Sequence, residues 1–291
     1  MKLSLLFAEG QFVVSGEVGP SKGAGAEEVL EGAKIMAPYV DVVNVTDNQS
    51  AVMRLGALAV SHRLKEAGIE PVFQLTCRDR NRIALQSDLL SAAALGIENV
   101  LLLTGDHMVL GDHPSAKAVF DLDSVQLLAA AKGLNEGWDL EGHELEAQTD
   151  LCLGAVVNPG ADELETQFIK MQKKIDAGAE FFQTQAVYDP DRFARFMDRA
   201  STFGVPVMVG IVPLKSAGMA RYMNESVAGV QVPAEMIQRM KKTPKGDRKK
   251  VSAEMAADLV RRMKDLCQGV HLMPLGWDDL VPEIVKAADI R

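Results

Sequence analysis

The chain has 291 residues, of which 47% are hydrophobic and 24% are charged, and its net charge is −9. This composition fits one large α/β domain or two small ones, and the negative charge disfavours a general nucleic-acid-binding protein. Cys77, Cys152 and Cys267 are too few and too widely spaced for a disulfide framework, a zinc site or an iron–sulfur site.

The amino-terminal segment, MKLSLLFAEG, resembles a signal peptide only weakly. Its apolar run is short and ends at Glu9, whereas a signal peptide needs about 7–15 apolar residues. No stretch of the chain approaches the roughly 20 apolar residues of a membrane-spanning helix. We therefore expect a cytoplasmic protein without a membrane span.

The chain then alternates between apolar segments typical of buried strands and segments with helical periodicity. Residues 12–18 (FVVSGEV) form the first predicted strand, and a helix follows at 26–36. The second predicted strand, 40–46, ends in polar residues. Ser50 is expected to cap the next helix, which ends at Gly68.

Residues 71–107 form a strand–helix–strand unit. The strand PVFQLTC ends in polar residues, the helix after it stops at Gly96, and the apolar run 100–103 breaks at Thr104-Gly105-Asp106. A unit of this length is typical of a parallel crossover, and near-continuous apolar strands of this kind are buried on both faces.

The second half of the chain continues the alternation. A long polar loop, 107–119, follows the fourth strand, and a loop of that length inside a compact domain is usually functional. The remaining strands are predicted at 151–157, 181–187, 205–212 and 270–275. Helices are predicted at 124–134, 162–177 and 252–267, with two further helices before the last of these and one at the end of the chain.

Eight strand–helix units predict a single-domain (β/α)8 TIM barrel over residues 1–291. In such a barrel the carboxyl ends of all strands meet at one rim, which is where ligands bind. The polar or aromatic residues predicted on that rim are Glu17, Asn44, Thr46, Gln74, Thr76, Thr104, Asp106, Asn158, Gln183, Gln185 and Trp277.

Two features of this rim indicate chemistry. A carboxyl group at a buried strand end, such as Glu17, is suited to donate a proton. Gln183 and Gln185 lie on the same side of one strand, and amides hydrogen-bond both donor and acceptor edges of a heterocycle. The alternative, that each strand simply ends where the chain meets solvent, stays open for any single residue.

Other patterns give weaker signals. The segment Gly23-Ala24-Gly25 lacks the third glycine of a dinucleotide fingerprint. His107, Asp112 and His113 have no further cluster to complete a metal site, so none is expected. The basic segment 241–250 is a solvated loop or a contact for a phosphate or polyglutamate tail, and Lys215 lies beyond its strand, which disfavours a Schiff-base lysine.

Six motifs resemble those of the methylenetetrahydrofolate reductase family, and they occur in the family's order. They are GEVGP with Glu17, NVT at 44–46, QLTCRDRN at 74–81, LLLTGD ending at Asp106, KKIDAGAEFFQTQ ending at Gln185, and GIVP at 210–213. The stretch from TCRDRN to LTGD is the most specific. The resemblance extends over about residues 12–285, and it includes the short, catalytic-barrel-only reductases of anaerobic and acetogenic bacteria and the reductase half of some homocysteine methyltransferase fusions.

The resemblance implies a barrel that holds FAD across the strand carboxyl ends. By the same resemblance, the flavin N5 would pass a hydride to the methylene carbon of 5,10-methylenetetrahydrofolate. By position, Glu17 would be the general acid, Asp106 would lie near the pterin and the flavin, and Gln185 would hydrogen-bond the pterin. The residues expected to hold FAD are Asn44, Thr46, Asp47, Gln74, Thr76, Thr104, Gly105, Asp106, Asn158, Gln167, Lys173 and Lys174.

The residues expected near the substrate are Gln183, Gln185, Met219 and Trp277. Met219 and Trp277 stand where better-known members have glutamine and arginine, and Gln74 and Thr104 replace a flavin-site histidine and an arginine. The resemblance also implies a homo- or hetero-oligomer that takes electrons from NAD(P)H or from a partner electron-transfer subunit.

Two other functions fit the same sequence. The first is a pterin-binding methyltransferase barrel, which needs no flavin and transfers a methyl group without redox change. The second is a non-catalytic barrel subunit of a larger redox complex, in which replacing Glu17 would leave activity unaltered.

Overall fold

A computed structural model describes all residues 1–291. Eight parallel strands close into a barrel in the order in which they occur along the chain, which confirms the predicted (β/α)8 fold. The strands are β1 (Val13–Val18), β2 (Val42–Val45), β3 (Pro71–Thr76), β4 (Asn99–Leu103), β5 (Cys152–Val157), β6 (Phe181–Ala186), β7 (Val207–Ile211) and β8 (Gly269–Leu272).

Helices surround the barrel, and one more lies before its first strand. None of them is both long enough and apolar enough to cross a membrane. The helices are α1 (Leu3–Ala8), α2 (Glu27–Met36), α3 (Ala57–Glu66), α4 (Arg82–Ala94), α5 (Ser124–Asn135), α6 (Leu164–Asp176), α7 (Pro190–Ala200), α8 (Ala217–Ser226), α9 (Ala234–Lys242), α10 (Arg248–Met263) and α11 (Leu280–Ala288).

The strands are buried on both faces, as their apolar runs predicted. Their outward side chains pack against the helices in the main core. Their inward side chains form a second, smaller core inside the amino-terminal half of the barrel, which includes Val42, Val72 and Phe181. The Phe181 ring occupies the space that a Cβ at Gly154 would need, so a glycine on β5 permits this packing.

Helix α1 closes the amino-terminal end of the barrel, and the sequence had not predicted it. Its buried residues Leu3 and Leu6 belong to the inner core together with Phe181. The side-chain oxygen of Asn99, at the start of β4, accepts a hydrogen bond of 2.8 Å from the Leu3 amide. The segment that resembled a weak signal peptide is therefore part of the barrel's packing.

The structure corrects two sequence predictions. Ser50 does not cap a long helix, because α3 begins at Ala57 and Ser50 lies in a short 3₁₀ turn with a φ of 56°. The basic segment 241–250 is not mainly a loop, since α9 ends at Lys242 and α10 begins at Arg248. In both places, the residues on either side of the helix boundary are similar in polarity, so the sequence pattern does not locate the boundary.

Candidate active site

A cavity of about 690 Å³ opens at the carboxyl ends of the strands. Its volume lies in the range of ligand pockets. All but three of the residues predicted for the site line it. These residues are Glu17, Thr46, Asp47, Gln74, Thr76, Thr104, Gly105, Asp106, Asn158, Gln167, Lys173, Lys174, Gln183 and Gln185.

The buried carboxylate of Glu17 lies on the wall of this cavity between two polar side chains. Glu17 is 8% exposed. Its Oε2 accepts a hydrogen bond of 3.3 Å from Nε2 of Gln74 and lies 3.4 Å from Nε2 of His271. Contacts from both sides restrict the carboxyl group to one orientation, which suits a proton donor that must meet a fixed substrate atom.

His271 on β8 is a site residue that the sequence analysis missed. Its Nδ1 lies 2.9 Å from the hydroxyl of Ser15 and 3.5 Å from the amide nitrogen of Asn44. Because that amide nitrogen only donates, Nδ1 is assigned as the acceptor, and Nε2 then carries the hydrogen toward Glu17. Pairing of β8 with β1 brings these residues together from opposite ends of the chain.

Asp47 anchors the rim between β2 and β3 through a buried ion pair. Its side chain is 0% exposed and pairs with Arg80 at 2.7 Å. Asp47 also accepts hydrogen bonds from the backbone amide and the hydroxyl of Thr76, at 2.9 and 2.8 Å. Arg80 in turn pairs with Asp88 on α4 at 2.8 Å. This network fixes the two strand ends relative to α4.

Arg78 supports the neighbouring part of the rim and is 2% exposed. It pairs with Asp79 at 2.7 Å and donates to the backbone oxygens of Asn48 and Asp106. The hydrogen bond to Asp79 raises the pKa of Arg78. The turn at Asn48 is left-handed, with a φ of 45°, and such backbone conformations in non-glycine residues concentrate at functional sites.

The segment Thr104-Gly105-Asp106 forms the rim after β4. Gly105 has a φ of 91°, which favours glycine, and a Cβ there would press against Thr76 and Arg78. The hydroxyl of Thr104 accepts a hydrogen bond of 3.3 Å from the amide of Ser124, at the start of α5. Asp106 is exposed at this edge of the cavity.

Three lysines of α6 give one side of the cavity a positive charge. They are Lys170, Lys173 and Lys174. Burial, and then the neighbouring charge of Lys170, lower the pKa of Lys174 from 10.5 to about 8. The Lys174 ammonium donates to the backbone oxygen of Val156 at 2.7 Å. A group of cations beside a cavity suits an anionic ligand such as a phosphate.

The remaining three predicted residues lie outside the cavity lining. Asn44 is buried beneath it, where its side-chain oxygen accepts from Gln74 at 3.5 Å. The sulfur of Met219 accepts from the backbone amide of Lys215 at 3.5 Å. The ammonium groups of Lys215 and Lys249 lie near the Trp277 ring, with their nitrogens 5.2 and 5.6 Å from its centroid.

The cysteines and the histidine-containing loop do not form a metal centre. No group of three or more His, Cys, Asp or Glu side chains is arranged to hold a metal ion. In the loop after β4, His113 instead contacts Asp112 at 2.8 Å, and Asp112 accepts from the backbone amide of Met53 at 3.0 Å. All three cysteines are free and buried, and burial raises the pKa of Cys77 to about 12.

A closed parallel barrel with a polar cavity at the strand carboxyl ends makes this protein a (β/α)8 barrel with a cavity where such barrels bind ligands. The family model described as methylenetetrahydrofolate reductase matches residues 2–289. The chain therefore belongs to the methylenetetrahydrofolate reductase family, and the resemblance of the six motifs is confirmed.

Relatives of known name agree with this assignment. The 5,10-methylenetetrahydrofolate reductase of Pectobacterium carotovorum is 26% identical over 299 residues, covering 99% of this chain and 94% of that protein. The Escherichia coli enzyme of the same name is 26% identical over 267 residues, covering 89% and 84%. Methylenetetrahydrofolate reductase 2 of Schizosaccharomyces pombe is 24% identical over an alignment of 241 residues, covering 75% of this chain and 35% of that protein.

Solved structures show the same fold at low identity. An uncharacterised protein from Clostridium thermocellum, described as binding two copies of 5-methyl-5,6,7,8-tetrahydrofolic acid, matches with a TM-score of 0.67 at 15% identity over 99% of both chains. An oxaloacetate acetylhydrolase matches with a TM-score of 0.56 at 12% identity, covering 94% of this chain and 80% of the other. At these identities the likeness concerns the fold alone.

Proposed function

We propose that this enzyme reduces 5,10-methylenetetrahydrofolate to 5-methyltetrahydrofolate, with FAD bound in the cavity and Glu17 as the general acid. The observation that carries the proposal is the position of Glu17. It is the buried carboxylate on the cavity wall that Gln74 and His271 hold from two sides. Membership of the family supplies the reaction class.

The residues that line the cavity fit a flavin dinucleotide. The hydroxyl oxygen of Thr46 is buried and has no hydrogen-bond partner within the protein, so it is available to a polar ligand. Lys170, Lys173 and Lys174 offer positive charge for a pyrophosphate. We assign these four residues to FAD, together with the amide of Gln167, which lines the same cavity.

The reaction adds a hydride to the methylene carbon of the folate and a proton to the nitrogen that leaves it. FAD supplies the hydride chemistry when it is bound. Glu17 supplies the proton to N10 as the bond between N10 and the methylene carbon breaks. Gln74 and His271 orient the Glu17 carboxyl toward that nitrogen, and the barrel walls around it limit access of water.

The test compares wild type with a variant that lacks the Glu17 carboxyl group, in an anaerobic assay of flavin reoxidation. The purified protein is loaded with FAD, the flavin is reduced chemically, and its reoxidation by 5,10-methylenetetrahydrofolate is followed by absorbance. We expect Glu17→Gln to slow reoxidation by about 100- to 10,000-fold, the range of general acid catalysis. Flavin affinity should stay unchanged. Glu146→Gln, at an exposed position, is the matched control.

The outcomes separate the three functions considered. Equal reoxidation rates in wild type and Glu17→Gln would refute the role of Glu17, and they are the result expected of a non-catalytic barrel subunit. A protein that binds no flavin, yet transfers a methyl group from 5-methyltetrahydrofolate, would be a methyltransferase. Reducing the bound flavin with NADH or NADPH, with and without cell extract, identifies whether a pyridine nucleotide or a partner subunit is the electron donor.

A further inference from the structure

Gln183 lies on the cavity lining at middle depth in the barrel. It stands on β6 between Phe181, which packs in the inner core, and Gln185, nearer the rim. Gln183 is among the residues that line the cavity, although it is only 1% exposed. A ligand must therefore enter deeply to reach it.

The amide of Gln183 has no hydrogen-bond partner in the protein. Neither its Nε2 nor its Oε1 is satisfied. The two other strand glutamines of the cavity differ, because Gln74 donates to Glu17 and the side-chain oxygen of Gln185 accepts from the Ala186 amide at 2.9 Å. A buried, unpaired amide destabilises the fold, so its presence on a cavity wall points to a partner that arrives with the ligand.

The neighbouring strands cannot supply that partner. The residues paired in register with Gln183 are Val156 on β5 and Met208 on β7, and both are apolar. The next residue, Thr184, is satisfied: its hydroxyl donates to the Gln185 carbonyl at 2.7 Å and accepts from the Gly210 amide at 2.8 Å. Pairing of β6 with β7 shifts register at this point, an irregularity that is common beside active sites.

We propose that Gln183 determines ligand specificity by pairing with the cyclic amide edge of a ring that reaches the cavity floor. Its Oε1 accepts from the ring N–H, and its Nε2 donates to the adjacent ring carbonyl. The pterin of a folate and the isoalloxazine of a flavin both carry this edge, so the inference rests on the proposed function. A ring without the edge leaves the amide unpaired and is disfavoured.

The decisive variant is Gln183→Met, which keeps the length of the side chain and removes its polar atoms. Without ligand, its thermal midpoint should rise by about 2 °C or more, because an unpaired buried amide is gone. Its affinity for the ligand whose ring it contacts should fall about tenfold or more. Gln183→Leu repeats the test with a different shape, and Gln238→Met, at an exposed position of α9, is the control.

Two titrations distinguish the rings. FAD is added to the apoprotein, and 5-methyltetrahydrofolate is added to the flavin-loaded protein, each followed by calorimetry. A loss of affinity confined to FAD assigns Gln183 to the isoalloxazine, and a loss confined to the folate assigns it to the pterin. Unaltered affinity for both in the Gln183 variants would overturn the inference while leaving the proposed reductase intact. A wild-type protein that binds neither ligand would remove the proposed function itself.

Discussion

Lys174 makes the free energy of unfolding depend on pH in a direction that is unusual for a lysine. It is 8% exposed, and its ammonium donates only to the backbone oxygen of Val156. Burial first, and the positive charge of Lys170 second, lower the pKa of Lys174 to about 8, although Asp123 acts in the opposite direction. Replacing Lys174 by methionine keeps most of the volume and removes the charge.

The magnitude follows from the pKa of Lys174 in the two states. A drop from 10.5 to about 8 corresponds to about 3 kcal/mol by which the charged lysine destabilises the folded protein at neutral pH. Between these two pKa values the unfolded chain keeps the proton and the folded chain releases it, so stability rises with pH across this window. Below about pH 8 both states are protonated and the penalty is constant.

Denaturant unfolding of the ligand-free protein at about pH 7 and about pH 10 measures the effect. Lys174→Met should be more stable than wild type by about 1–3 kcal/mol at the lower pH, and the difference should shrink at the higher pH. Lys173→Met, at an exposed position of the same helix, corrects for general loss of charge. A Lys174→Met variant that is less stable than wild type at about pH 7, or that retains the difference at about pH 10, would refute this reasoning.

Two further predictions concern the surroundings of the cavity. Arg80→Met leaves the fully buried Asp47 carboxylate without its cation, and we expect denaturant unfolding to show a loss of about 3–5 kcal/mol. The double variant with Asp47→Asn should recover part of that loss. An Arg80→Met variant as stable as wild type would show that the ion pair with Asp47 does not stabilise the fold. The three buried cysteines, whose pKa values burial raises to about 11 or 12, should resist a thiol reagent in the native protein and react on unfolding. Rapid labelling of the native protein would contradict this expectation.

Much of the fold could be predicted because each strand carries its own signal. The runs that became β3, β4 and β7 are mostly apolar, a pattern typical of strands buried on both faces. Because all the strands of a parallel barrel have their carboxyl ends at the same rim, polar residues at those ends meet there. For this reason, Glu17 and Gln185 could be expected at one cavity without any knowledge of side-chain conformations.

The residues that the sequence did not reveal depend on contacts between distant segments. His271 is a single polar residue in an apolar strand, and only the closure of β8 on β1 shows that it faces Glu17. Helix α1 has too few residues to display a helical period, and the barrel core stabilises it. Trp277 follows a turn after β8, and its ring lies near two lysines outside the cavity lining, so its role at the substrate stays a prediction.

Helix α1 also limits how ligands move through the protein. Because Leu3 and Leu6 fill the amino-terminal end of the barrel, there is no passage along its axis, and whatever reaches the floor must leave by the way it came. An electron donor and an electron acceptor that both need the deepest position are then obliged to occupy it one after the other. Under the proposed function, such a geometry favours a kinetic order in which the enzyme alternates between an oxidised and a reduced form.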